Sequence, residues 1–254
     1  MSEKNTLSIP FFKNGLTNNQ LKIIAMLAMA CDHVAKILFP KIIILQIIGR
    51  LAFPIFAYMI AEGCKHTKNK RKYILQIMGL GIICQIVFTI VMRSLYQNIF
   101  ITFTLSIITI FAIERFVKKS NVKNFIIMLT VAFIALFWGC LLFNVKAFSD
   151  YLYQLTGIKD YYIDYGFLGV LFPIVIYFAP NKWLKLASAV LMILIYGFHY
   201  NSLQFYMLLA IPLLALYNGK RGKANLKYMF YLFYPAHLAI IYGVNILINW
   251  QYYF

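Results

Sequence analysis

Charge is what this sequence lacks. Asp, Glu, Lys and Arg make up 12% of the 254 residues, while apolar residues reach 63% and the mean hydropathy is +0.77. A water-soluble domain carries roughly 25% charged residues, so this chain cannot clothe a surface that faces water. Acid is scarcer still, with seven Asp and Glu against 24 Lys and Arg and a formal charge of +17. Other absences narrow the chemistry. The chain has no Gly-x-x-x-x-Gly-Lys-Ser/Thr, no Gly-x-Ser-x-Gly and no His-Glu-x-x-His, which argues against a P-loop ATPase, an α/β hydrolase and a zinc protease. The cysteines Cys31, Cys64, Cys84 and Cys140 fall in or beside apolar segments without paired spacing, so neither a disulfide framework nor a metal site is expected. The first twenty residues are polar, and the apolar stretch after them is too long and too polar at its centre for a cleaved signal.

What is present is hydrophobic length. Runs of near twenty apolar residues recur from Leu21 onwards, and a helix of about that length crosses roughly 30 Å of hydrocarbon. The expected fold is an all-α integral membrane protein, a single domain over 1–254 with about nine transmembrane helices. The spans fall at about 21–40, 42–62, 73–92, 99–117, 124–144, 165–180, 183–199, 202–217 and 228–249. The sixth to eighth are short, and a re-entrant pair there is the alternative. No internal repeat at fixed period is visible, so nothing points to the inverted repeats of secondary transporters.

Basic residues alternate between the two sides of these spans. Lys4, Lys13, Lys22, Lys65, Lys68, Lys70, Arg71, Lys72, Arg115, Lys118, Lys119, Lys123, Lys182, Lys185, Lys220, Arg221, Lys223 and Lys227 fall on one side, and only Lys36, Lys41, Arg93, Lys146 and Lys159 on the other. The positive-inside rule therefore sets residues 1–20 in the cytoplasm and the C-terminus outside. The charge is spent on topology, not on nucleic acid. The outer segment 145–164 holds Tyr151, Tyr153, Tyr161 and Tyr162 with Asp150, Asp160 and Asp164. That is either an interfacial aromatic belt or an acceptor-binding surface.

Polar groups inside the spans need a partner or a purpose, because each charge at the bilayer centre costs about 2.5–3.5 kcal/mol on insertion scales. Asp32 and His33 lie in the first span and Arg50 in the second, at similar depth when counted from their short outer connection. Arg50 or Lys36 is expected to hold Asp32. Neighbouring residues point about 100° apart on a helix, which leaves His33 facing a cavity as a proton acceptor. A structural lock between Asp32 and Arg50, with His33 as an interhelical contact, is the competing reading. The last span adds Tyr234, Pro235 and His237, and His237 reaches a similar depth. It either flanks the same pocket or bonds a neighbouring helix. Glu62 is expected to pair with Lys or Arg at the inner end of its span, while His66 and His199 carry no distinct signal.

These residues resemble a family. Lys22-Ile-Ile-Ala with Asp32-His33, Gly49-Arg50-Leu-Ala-Phe53-Pro54 running to Glu62-Gly63, and His66-Thr67 before the basic cluster are similar to TraX-type proteins, named for a conjugative-pilus protein that acetylates pilin. Asp164-Tyr165-Gly166, Tyr217-Asn218-Gly219-Lys220-Arg221-Gly222 and Phe230-Tyr231-Leu-Phe-Tyr234-Pro235-Ala-His237 continue the likeness in order and spacing. A wider likeness is to the acyltransferase-3 family, whose first helix carries Arg, ten residues, then His. Here Lys22 holds the place of that Arg before His33, and Lys binds phosphate and carbonyl groups differently.

The resemblance implies a multi-pass enzyme of the bacterial cytoplasmic membrane that moves an acetyl group from cytoplasmic acetyl-CoA to an amine or hydroxyl of a pilin-like peptide or surface glycan. His33 would be base or transient acetyl carrier, with Asp32 and Arg50 orienting it or stabilising the oxyanion. Tyr234, His237 and Lys22 would line the substrate, and Lys68, Lys70, Arg71, Lys72, Lys220 and Arg221 would take the CoA phosphates. The rival functions are a proton-coupled transporter or flippase for an envelope precursor, and a non-catalytic subunit of pilus or envelope assembly.

Overall fold

The computed structural model describes residues 15–92, 96–137, 150–151, 153–155, 157, 162–223 and 226–249. Lys4, Lys13, Arg93, Cys140, Lys146, Lys159, Asp160 and Tyr161 lie outside them. The described residues form helices and no strands, with isolated bridges pairing Leu16 with Tyr217 and Gln97 with Ile163. The helices are α1 Asn18–Ile37, α2 Ile43–Gly49, α3 Ala52–His66, α4 Lys70–Met92, α5 Ile99–Lys118, α6 Val122–Leu136, α7 Gly166–Phe178, α8 Lys182–His199, α9 Ala210–Ala215 and α10 Lys227–Ile248, and a 3-10 helix covers Ser202–Leu209.

Among the described residues, three stretches are long and apolar enough to cross a membrane: Ile43–His66, Ile99–Lys118 and Lys182–His199. Val122–Ala135, Gly166–Phe178, Ser202–Ala215 and Leu232–Ile248 are apolar but shorter. Large apolar side chains cover much of the outside, with Phe133, Leu191, Leu232 and Ile240 all more than half exposed. A face of that kind is one that meets lipid or protein rather than water. This is an all-helical chain of membrane-protein character.

Two expected spans are not single α-helices. The stretch 42–62 breaks at Arg50–Leu51 between α2 and α3. The cause lies at Pro54, the third residue of α3. It has no N–H to offer the Arg50 carbonyl, and its ring crowds that carbonyl. The stretch 202–217 begins as 3-10 helix and turns α only at Ala210. The steeper rise of a 3-10 helix carries 202–215 over roughly 25 Å, against about 21 Å if it were all α.

The chain forms two compact units, one of residues 1–59 with 193–254 and one of residues 60–192. In the first unit α1 packs against α2 and α10, and α2 also meets the 3-10 helix. Thr17 opens α1 with a capping box, its backbone N–H donating to Gln20 Oε1 at 2.8 Å while its hydroxyl accepts from Gln20 N at 3.4 Å. The loop after α9 is stitched to that start, because Asn18 N donates to the Lys220 carbonyl at 2.8 Å and Asn19 N to the Arg221 carbonyl at 3.1 Å. Gly222 (φ +93°) sits where a side chain would strain the backbone and press on Thr17 and Asn19. In the second unit α5 is central, packing on α4, α6 and α7.

Candidate functional site in the first unit

The site begins with a glycine. A Cβ on Gly49 would lie 2.5 Å from Asp32 Cβ and 2.9 Å from Asp32 Cα. Only glycine lets α2 approach α1 this closely, and the next residue, Arg50, then meets Asp32 directly. Arg50 Nη2 donates to Asp32 Oδ1, and Lys36, one turn along α1, reaches Asp32 Oδ2 at 2.6 Å. Arg50 also donates to Gln204 Oε1 at 3.2 Å and to the Gln46 carbonyl at 3.3 Å. Asp32 and Arg50 are both buried. The sequence reading anticipated Arg50 or Lys36 on Asp32; the structure has both, and adds Gln204 and Gln46. Gln204 carried no sequence signal, being a lone amide in a short apolar segment.

His33 turns away from this network, as the 100° step along a helix requires. Its Nδ1 lies 2.7 Å from His237 Nε2, with the two rings stacked at 5.0 Å between centroids and 12° between planes. His237 Nδ1 lies 2.7 Å from the Phe233 carbonyl one turn back on α10. A carbonyl only accepts, so His237 Nδ1 carries a proton, and in the neutral ring its Nε2 is then an acceptor. His33 Nδ1 must donate to it. The hydrogen-bond network thus assigns both tautomers. Of the four nitrogens in these two rings, the one left bearing a lone pair without a hydrogen bond among the described residues is His33 Nε2. Tyr234 sets its ring edge-on to both histidines, at 6.1 Å from His33 and 5.5 Å from His237.

The structure therefore brings together Asp32 with Arg50, and His33 with His237 and Tyr234. No hydrogen bond joins His33 to Asp32 or Arg50 among the described residues; the polar partner of His33 is His237. Lys22 stands apart. Its ammonium lies 5.3 Å from the centre of the Phe230 ring, and eleven residues of helix separate it from His33 by roughly 16 Å.

The phosphate-binding candidates divide between the units. Lys220 and Arg221 are exposed in the loop stitched to α1, in the first unit. Lys68, Lys70, Arg71 and Lys72 belong to the second, where Lys70 is engaged by Glu114 at 2.6 Å. Glu62 is paired as expected with a base, Lys185, and both are buried. His66 is the last residue of α3 and lies 3.4 Å from Glu62. Asp164 accepts from the Tyr96 hydroxyl, and its backbone carbonyl accepts from Thr102 Oγ1 at 2.8 Å.

An all-helical chain of membrane character, with buried ionic and histidine groups on its first and last helices, defines the class. Within it the family is plain: residues 17–147 and 152–245 match the family described as TraX protein, and the chain belongs to the TraX family. A protein of Dichelobacter nodosus named "Probable fimbrial assembly protein FimC, serogroup H1" is 27% identical over 241 residues, covering 87% of this chain and 93% of that one. An uncharacterised protein of Rickettsia prowazekii (strain Madrid E) is 37% identical over 89 residues, 34% of each chain. No solved structure matches.

Proposed function

We propose that this TraX-family chain is an acetyltransferase of the bacterial cytoplasmic membrane, acting on an amine or hydroxyl of a pilin-like peptide or surface glycan with acetyl-CoA as donor. The observation that carries the reading is the histidine pair. His33 Nε2 bears a free lone pair, and its other nitrogen is fixed by a hydrogen bond to a second imidazole that is itself tied to a backbone carbonyl. A general base held by a third group in the correct tautomer is the arrangement that acyl transfer needs. His33 Nε2 removes the proton from the acceptor amine or hydroxyl as that atom attacks the acetyl carbonyl. His33 then returns the proton to the departing CoA thiol. While it is held, the added charge on His33 is stabilised through the hydrogen bond to His237.

Asp32, Arg50 and Lys36 serve this pair by fixing α2 against α1 at the level of His33. Arg50 spends three of its contacts on Asp32, Gln204 and Gln46, which suits a positioning group. Lys220 and Arg221 are the candidates for CoA phosphates in the same unit as the histidines. Lys68, Lys70, Arg71 and Lys72 are the candidate cluster of the other unit. In this reading the chain crosses the membrane about nine times with its N-terminus inside, and both the shorter apolar helices and the charge alternation support that count. The name of the Dichelobacter nodosus relative supports an acceptor of the pilin class.

The test is incubation of the purified full chain with radiolabelled acetyl-CoA and a pilin-derived peptide or amino-sugar acceptor. Label on the acceptor, with matching release of CoA, is the expected result. Proton-gradient-driven uptake of an unmodified precursor, without acetyl transfer, would replace the enzyme by a transporter.

A further inference from the structure

We propose that the second unit carries a binding groove for an anionic phospholipid, with the headgroup phosphate at a basic rim and one acyl chain along an apolar wall. A cavity of about 710 Å³ opens among α4, α5 and α6. Its rim holds Lys70, Arg71, Arg115, Lys118, Lys119 and Lys123, and its wall includes Ile74, Ile108, Phe111, Ile127 and Val131.

The rim is far from neutral. Its carboxylate among the described residues, Glu114, is shared between Lys70 and Lys118, each at 2.6 Å. Arg71, Lys119 and Lys123 have no acidic partner among the described residues. Arg115 is held in place from one side. Its Nε donates to Asn124 Oδ1 at 2.9 Å, and the Asn124 amide donates to the Lys119 carbonyl at 2.8 Å. Asn124 is 3% exposed, so this anchor is fixed. The remaining Arg115 donors have no hydrogen-bond partner among the described residues, and a planar fork presented in this way suits phosphate oxygens.

Membrane topology accounts for cations on these loops, but it does not require them to border a groove or to be locked by a buried amide. An anionic phospholipid matches both halves of the groove: negative phosphate for the rim, hydrocarbon for the wall. A basic pocket between membrane helices is the usual seat of an acidic headgroup, each cation near the surface contributing about 1 kcal/mol. This inference rests on the membrane placement of the helices, not on acetyl transfer.

The experiment is native mass spectrometry of the full chain released from nanodiscs holding phosphatidylglycerol and phosphatidylcholine in equal amounts. Phosphatidylglycerol should be retained at least about thirtyfold over phosphatidylcholine. Lys119→Gln with Lys123→Gln changes two exposed, unpartnered side chains and so leaves folding intact. It should cut phosphatidylglycerol retention by roughly thirtyfold, at about 1 kcal/mol per cation, without changing phosphatidylcholine. Arg115→Lys, which keeps the charge but loses the anchored fork, should give a smaller loss. Equal retention of the two lipids, or no change in the double variant, would overturn the groove. Displacement of phosphatidylglycerol by soluble CoA would assign the same cations to a nucleotide phosphate instead. Release of the chain from membranes by alkaline extraction would overturn the membrane placement itself, a failure distinct from loss of lipid preference.

Discussion

Two buried ion pairs in this protein look alike in sequence and differ in their surroundings. Glu62 and Lys185 in the second unit face each other with His66 beside them. Asp32 and Arg50 in the first unit are as deeply buried, yet they sit next to a histidine that ignores them and bonds a second histidine instead. The first arrangement is a buried carboxylate–ammonium pair with an imidazole at its edge. The second holds a nitrogen lone pair in the open position of an ordered chain of imidazoles. Burial and charge alone do not mark a site; a group left poised after every neighbour is satisfied does.

The sharpest way to break the comparison is to remove the poised group. His33→Ala should lower acetyl transfer by about 10²–10⁴-fold in folded protein, measured as acceptor-dependent CoA release. His237→Ala should fall in the same range, because His33 then loses the partner that fixes its tautomer. Substitution of Lys185 should leave the specific activity of folded protein unchanged. If His33→Ala retains activity, the two regions are equivalent and both are structural.

Next in size are the ion pairs as stability elements. Asp32→Asn leaves Arg50 buried with a poorer partner, and Glu62→Gln does the same to Lys185. Each should destabilise by about 3–5 kcal/mol, read as a lower midpoint in thermal or denaturant unfolding in detergent. Replacing both members of the second pair, Glu62→Gln with Lys185→Met, should recover most of that loss at full transfer activity. The corresponding double change at Asp32 and Arg50 should recover stability without recovering transfer.

A smaller effect is expected at the contact that makes the first pair possible. Gly49→Ala puts a methyl group against Asp32 backbone and side chain, and overpacking of this kind costs about 1–3 kcal/mol. Unfolding midpoints would report it, and transfer should weaken along with stability. Smallest of all is Tyr234→Phe. It keeps the ring against both histidines and removes only a hydroxyl, a loss of about 0.5–1.5 kcal/mol that should show in the unfolding midpoint with little change in rate.

Much of the site was legible because membranes tax polar groups heavily. Asp32, Arg50 and His237 stood out against apolar neighbours, and their helical phase placed His33 apart from Asp32. Similar depth allowed His237 to flank the pocket of His33, but the direct bond between the two rings was not legible, since no periodicity links residues 204 positions apart. Gln204 escaped for the same reason. The break at Arg50–Leu51 could have been found from Pro54, whose missing N–H acts four residues upstream. The change of helix type at Ala210 had the same kind of marker in Pro212, the third residue of α9, which has no N–H to offer the Leu208 carbonyl.

Sequence by itself determined the solvent and the class. Scarce charge and long apolar runs rule out a water-clad surface, and two motif blocks in order and spacing identify the TraX family. It also named the residues too polar for their place. Tertiary structure alone decided that His33 bonds His237, and in which tautomers. Hydropathy records what each residue prefers as a solvent, whereas a tautomer depends on which acceptor lies opposite a given nitrogen, and that is fixed only when α1 and α10 pack together.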